Sequence, residues 1–168
     1  MILKWDHYLS DFCVYLKLKM VFIFLSNFLN RMDNTRKGVN ALSFKVVGAA
    51  IEVHKHLGPG LLESIYQKCL AIELLERGIN FQQEVEIPIS YKGHLVQGYL
   101  KCDFFIENLL VIELKAVSEI LPIHHAQLIN YMNLLKAPKG ILLNFNVVHL
   151  FSHGQKTFLS KYFASLPE

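Results

Sequence analysis

The chain has little cysteine, little net charge and no apolar run of membrane-spanning length. Its three cysteines, Cys13, Cys69 and Cys102, are odd in number and far apart, and none falls in a CxxC or other ligand spacing. That usage argues against a disulfide scaffold or a thiolate metal site and is read as reduced thiols in a cytoplasmic protein. The formal net charge is only +3, and two of those charges fall in residues 1–31, where Lys4, Lys17, Lys19 and Arg31 outnumber Asp6 and Asp11. The remainder lacks a general basic footprint, so any nucleic-acid function has to rest on a site rather than on net charge. The uninterrupted apolar stretch 20–25 is far shorter than the about 20 residues a bilayer demands, so a membrane is not an expected partner. Neither an internal repeat nor a low-complexity tract divides the core.

What is present is a hydrophobic content of 52%, enough in 168 residues for one domain with a sizeable core. Residues 1–31 stand apart: 12–29 are rich in Phe, Leu, Val and Ile but broken by Lys17, Lys19 and Asn27. They make a poor signal peptide, with acids in the basic region and no small-residue cleavage site before Arg31. Three readings remain open: an upstream extension with translation starting at Met32, an amphipathic helix packed on the domain, or a membrane-surface anchor. The organisation expected is this extension, a polar linker over 32–41, one domain over 42–160 and a mobile tail over 161–168.

Within the domain, Leu42, Val46, Ala49, Ala50, Val53 and Leu57 recur at helical spacing until Gly58-Pro59-Gly60. A second helix follows Gly60, with Leu61, Leu62, Ile65, Cys69, Leu70 and Ile72 expected on its apolar side, and stops at Gly78. Residues 81–91 alternate as a strand in which Pro88 signals an edge or an irregularity. Lys92-Gly93 marks a turn, and strands over about 95–106 and 109–117 complete an antiparallel meander. Pro122 opens a helix to about Leu135, residues 140–146 return as a strand, and a hairpin around His153-Gly154 is expected last.

The third strand is the informative one. It is apolar throughout except for Glu113 and Lys115, which sit two residues apart and so share one side of the strand. Charges in such a strand need partners, and Asp103 is the nearest upstream acid at a pairing distance. A two-residue turn at Glu107-Asn108 sends the two acids to opposite sides. A three-residue loop of Glu107, Asn108 and Leu109 instead pairs Ile106 with Leu110, Phe105 with Val111, Phe104 with Ile112 and Asp103 with Glu113. Asn108 tolerates the left-handed backbone such loops use, and this register is the one expected. Two carboxylates at about 4 Å repel by roughly 4 kcal/mol at an effective dielectric of 20. They therefore need a cation or a proton, and all-oxygen donors favour Mg²⁺ or Mn²⁺ over zinc. The plain alternative is a solvated face of a one-sided sheet.

The run from Gly60 through Glu63 to Tyr66 has the pattern GxxExxY, and Asp103 and Glu113-Leu114-Lys115 follow it. With the phrases around Gly48 to His54, Leu121-Pro122-Ile123-His124 and Ala126-Gln127-Leu128, the chain closely resembles the bacterial GxxExxY protein family, grouped with the PD-(D/E)xK nuclease-like superfamily. The resemblance implies an α/β, restriction-endonuclease-like core in which helices flank a central mixed sheet. It also implies a metal-dependent nuclease acting on nucleic acid, with DNA the expected substrate, or else an inactive module that keeps the fold to bind nucleic acid or a protein. On this reading Glu63, Asp103 and Glu113 are the metal ligands and Lys115 positions water. Gln127 and Tyr131 form a supporting pair stacked on one helical face. Tyr66 and Glu52 are further supporting candidates, although Tyr66 equally suits packing and Glu52 equally suits pairing with Lys55 or His56. The proline of the superfamily name is absent, Lys101-Cys102 preceding Asp103.

Overall fold

In the computed structural model, which describes residues 34–168, helix α1 (Arg36–Leu57) opens on Thr35, whose hydroxyl accepts from the Gly38 N–H at 3.0 Å. The cap starts the helix well before the first apolar repeat, so Arg36 to Ala41, expected as linker, are helical. The expectations for residues 1–31 lie outside the described residues. Val39, Leu42, Val46, Ala49 and Ala50 are buried, and Gly58, at φ 67°, ends the helix with its N–H on the His54 carbonyl.

Helix α2 (Glu63–Glu76) buries Tyr66, Leu70 and Leu74, one residue per turn. The apolar side expected for it is wrong in part: Leu61, Leu62, Ile65 and Ile72 are exposed. Apolar residues occur all round this helix, so periodicity carries no phase, and only tertiary packing selects the buried stripe.

Strands β1 (Phe81–Tyr91) and β2 (His94–Ile106) join through Lys92 (φ 52°) and Gly93 (φ 83°), both left-handed as a tight hairpin turn requires. Their register shifts between Pro88 and Ile89, paired with Tyr99 and Val96, so Gln97 and Gly98 bulge out. β1 is an edge strand, where a proline's missing N–H is tolerated. Strand β3 (Leu110–Lys115) pairs with β2 in the expected register, Ile106 with Leu110, Phe105 with Val111 and Phe104 with Ile112. The loop that sets this register has Glu107 at φ 50° and Asn108 at φ 56°.

After β3 the chain crosses through helix α3 (Pro122–Leu134) to strand β4 (Lys139–Asn144), which runs parallel to β3. The sheet is therefore mixed, ordered β1-β2-β3-β4-β5, and flanked by helices. All six residues of β4 and five of β3 are buried, as a strand pair covered on both sides demands. One apolar cluster packs Phe105, Val111 and Leu142 against Leu128, Tyr131 and Met132 of α3. No helix among the described residues is long and apolar enough to cross a membrane.

Two expectations at the C-terminal end are corrected. In place of a hairpin at His153-Gly154 there is a one-turn helix α4 (Leu150–His153), and strand β5 (Gln155–Leu159) pairs antiparallel with β4. The tail is not loose: α5 (Lys161–Ala164) is capped by Ser160, the Pro167 carbonyl accepts from the Arg36 N–H at 2.8 Å, and Arg36 pairs with Glu168. Hydrogen bonds to a partner more than a hundred residues away are invisible to local pattern.

At Gly154 the chain passes close to its own backbone. A Cβ there would lie 2.5 Å from the Asn144 carbonyl oxygen and 2.7 Å from Leu150 Cδ1. The Asn144 oxygen is backbone and cannot swing aside, so Gly154→Ala is expected to destabilise the domain by about 1–3 kcal/mol in chemical denaturation.

Candidate functional site

The ladder between β2 and β3 ends at Phe104 and Ile112, and one step beyond them the strands part. Instead of a main-chain carbonyl, the Asp103 carboxylate accepts the Leu114 N–H, at 2.8 Å through Oδ2. The alternation of β2 breaks at the same place: Cys102 and Phe105, three residues apart, both pack in the cluster beneath α3. Opposite them in β1, Glu84 takes a left-handed φ of 54°. The irregularity turns Asp103 into the wedge between the strands, where bulges commonly re-aim a functional side chain.

Glu113 closes the wedge. Its side chain is 3% exposed, and Oε1 accepts from Lys115 Nζ at 2.6 Å. Lys115, 12% exposed, also donates to the Leu114 carbonyl at 2.9 Å and lies 4.0 Å from Glu63 Oε1. From α2, Gln67 reaches Asp103 Oδ1 at 3.5 Å. The structure thus brings Asp103, Glu113 and Lys115 together, with Glu63 at their rim and 43% exposed.

Burial comes first in raising the Glu113 carboxyl to about 7, and the Asp103 charge adds to it against the opposing pull of Lys115. Asp103 is raised too, mainly by burial, although the Leu114 N–H and Lys115 act the other way. Burial lowers Lys115, but the hydrogen bond and charge of Glu113, with Glu63 and Asp103, outweigh it and hold the ammonium. The Tyr131 hydroxyl is raised by burial and feels both Glu113 and Asp103, and Gln127 Nε2 donates to it at 2.8 Å. The expected Gln127–Tyr131 pair therefore forms and lies within electrostatic reach of the acids.

Two candidates sit elsewhere. The Tyr66 hydroxyl donates to the Gly58 carbonyl at 2.6 Å and accepts from the Leu61 N–H, while its ring stacks on Phe145 at 4.4 Å. It latches the loop before α2. Glu52 pairs with Lys55 and His56 on its own helix. His124, beside Gln127 in sequence, caps α3 by accepting the Leu121 N–H.

Sequence reasoning missed Asn144. Buried at the end of β4 in register with Lys115, it accepts from the N–H groups of Val117 and Asn146 and donates to the Val117 carbonyl. It fixes the chain leaving β3, and its only local signal was a polar residue ending an apolar strand. Gln67 was also missed, although it lies one turn after Glu63.

A divalent cation suits this donor set. Glu113 Oε2 is buried without any hydrogen-bond partner, beside a second carboxylate whose charge raises its proton affinity. A cation held there would take the place of the proton and satisfy the orphaned oxygen. Among the described residues no three His, Cys, Asp or Glu groups are gathered into a ready metal cluster, and Glu63 is turned toward Lys115. The fit therefore rests on Asp103 and Glu113.

The family model described as the PD-(D/E)XK nuclease superfamily matches residues 40–157. A solved structure described as "Crystal structure of SSO0001" is 28% identical, with a TM-score of 0.46 over 58% of this chain; the match spans half the length of that structure's chain. No curated protein matches.

The raised carboxyl of Glu113 has a stability consequence. The folded state holds the proton more tightly than the unfolded chain, so this contribution is full below about pH 4.5 and is lost as pH rises through about 7. Glu113→Gln, neutral and of the same shape, removes the loss. In urea denaturation with a chelator present, it should match wild type near pH 4.5 and exceed it by on the order of 3 kcal/mol at pH 8. A variant that is no more stable at pH 8 contradicts this account.

Proposed function

The chain belongs to the PD-(D/E)XK nuclease superfamily, and from that premise we propose that its domain hydrolyses phosphodiester bonds of nucleic acid, in DNA, with a divalent cation held by Asp103 and Glu113. The observation that carries the proposal is the buried, unpartnered Glu113 Oε2 beside a second acid and a charged lysine. PD-(D/E)XK nucleases generally use divalent metals. Oxygen-only donors make Mg²⁺ or Mn²⁺ the ion of choice. When bound, such an ion supplies Lewis acidity toward a phosphoryl oxygen and offsets the two carboxylates.

The remaining work falls to the protein. Lys115 stays protonated and, with two of its three N–H groups on Glu113 and the Leu114 carbonyl, has the third for the attacking water or for the charge that develops on phosphorus-bound oxygen. Glu113 orients that ammonium, and the Leu114 N–H holds Asp103 in place. Glu63, at the rim, would add a third carboxylate to the ion's ligands were its side chain turned from Lys115. Gln127 and Tyr131 steady the opposite wall. Gly60, Glu63 and Tyr66, with the ExK strand, support membership of the GxxExxY family. We assign the catalytic unit to residues 42–160 and the protein to the cytoplasm.

A second reading, a nuclease-like module that binds without cutting, is favoured by one observation: Glu63 is not gathered with the other two acids. The deciding assay offers linear, nicked and branched DNA, and matched RNA, with Mg²⁺ or Mn²⁺. Wild type is expected to cut DNA, and Glu113→Ala and Lys115→Ala to be slower by at least about 100-fold. Equal cutting by the variants rules out this site, and binding without cutting selects the module. Independently of substrate, Mn²⁺ should raise the melting temperature of wild type, and Asp103→Asn should abolish most of the rise, because a ligand stabilises only the state that binds it.

A further inference from the structure

We propose that a cleft beside the N-terminal turns of α3 binds a backbone phosphate of the same strand whose scissile phosphate reaches Asp103 and Glu113. This deepens the nuclease reading and rests on it. The cleft has a volume of about 230 Å³. Ile120 and Leu142 form its apolar part, and His125, His153, Gln155 and Lys156 supply the polar groups; among the described residues no acid lines it.

Three observations give it the chemistry of an anion site. His125 Nε2 is buried with no hydrogen-bond partner, so a ring nitrogen stands unused beside the cleft. The His125 ring lies 5.3 Å from the Phe158 ring, and Lys156 Nζ lies 5.8 Å above that same ring, so the two groups share one platform. Among the described residues Lys156 makes no ion pair, unlike Lys101, which is bound to Glu84, and Lys115, which is bound to Glu113. Burial, Lys156 and His124 keep His125 below the usual imidazole range. Near neutrality the ring is therefore uncharged, and in the tautomer with its proton on Nε2 it donates to an anion while Lys156 supplies the positive charge.

Placement links the cleft to the acids. Glu113 is in register with Leu142, and Leu142 with Lys156, so one row across β3, β4 and β5 carries all three on the same side of the sheet. Two strand spacings make that row about 10 Å long. Leu142 is covered by α3, so a nucleic-acid strand joining the two ends passes outside that helix and needs at least about three nucleotide rises of 3.4 Å. The acids by themselves repel a polyanion, and the lysine among them is already paired. A cation a few nucleotides along is what lets a strand settle across them.

The test measures binding of labelled duplex and single-stranded DNA by fluorescence anisotropy across a salt series, with chelator, in a Glu113→Gln background that stops cleavage. Adding Lys156→Ala should weaken binding about fivefold, the yield of one exposed ion pair. It should also lower the slope of log affinity against log salt by about 0.9 for duplex, one phosphate contact. Lys156→Arg should restore both, and His125→Gln should weaken binding without changing the slope. An unchanged slope and affinity for Lys156→Ala overturns the subsite, as does a failure of the Glu113→Gln protein to bind DNA at all. If inorganic phosphate alone competes at the concentration of nucleotide phosphate that half-saturates the protein, the site takes free phosphate and the assignment to a strand falls. Wild type that binds through Lys156 but cuts nothing in Mn²⁺ supports the subsite and removes the nuclease reading, so the two fail separately.

Discussion

The hydrogen bond from the Leu114 N–H to the Asp103 carboxylate is the interaction on which the rest of the site depends. Two strands cannot part in a buried sheet without leaving donors bare, and an unpaired buried N–H costs about 1–3 kcal/mol. By letting a side chain replace a main-chain carbonyl, the chain opens a wedge and still satisfies Leu114. The same bond fixes where the carboxylate stands, which places it beside Glu113 rather than in solvent. The broken alternation at Cys102 and Phe105 and the left-handed Glu84 across from them are the backbone's accommodation of that one substitution.

From this follows an electrostatic imbalance. Buried Glu113, half-buried Asp103 and the half-exposed Glu63 surround a single ammonium, and the first two are displaced toward the proton-bound form. Buried ion pairs gain little net stability, because desolvation offsets their attraction. Function is the more economical reason for keeping this set: the surplus negative charge and the unpartnered Glu113 oxygen are what a divalent cation would neutralise. The cost is borne by β3 and β4, whose apolar residues are buried on both sides of the sheet and hold the strands in place beneath the charges.

Much of this was legible because it is local. Asn108 tolerates a left-handed backbone, an odd loop length is what brings Asp103 and Glu113 to one side, and the paired residues of β2 and β3 come out as read. Pro88 announced its edge, and Pro122 its helix start. What stayed hidden depends on distant partners. Nothing near Leu62 or Ile65 says that they face outward, since α2 is apolar on every side. Nothing near Pro167 says that it meets Arg36. Within the site, Glu113 and Lys115 were visible as misplaced charges, whereas Asn144 and Gln67 look ordinary until β4 and α2 are set beside β3.

The parallel crossover also explains how a chain of such modest net charge reaches a polyanion. An antiparallel return after β3 would put the next strand's start beside the acids. The α3 crossover instead brings β4 alongside in the same direction, so Leu142 aligns with Glu113, and the following antiparallel turn aligns Lys156 with Leu142. Helix α3 lies over the same side of the sheet and lends Tyr131 and Gln127 to the acids at one of its turns and His125 to the cleft at an earlier one. Attraction and repulsion are then separated along one row rather than averaged over the surface, and a polar strand can be held by local contacts where a uniform basic coat is missing.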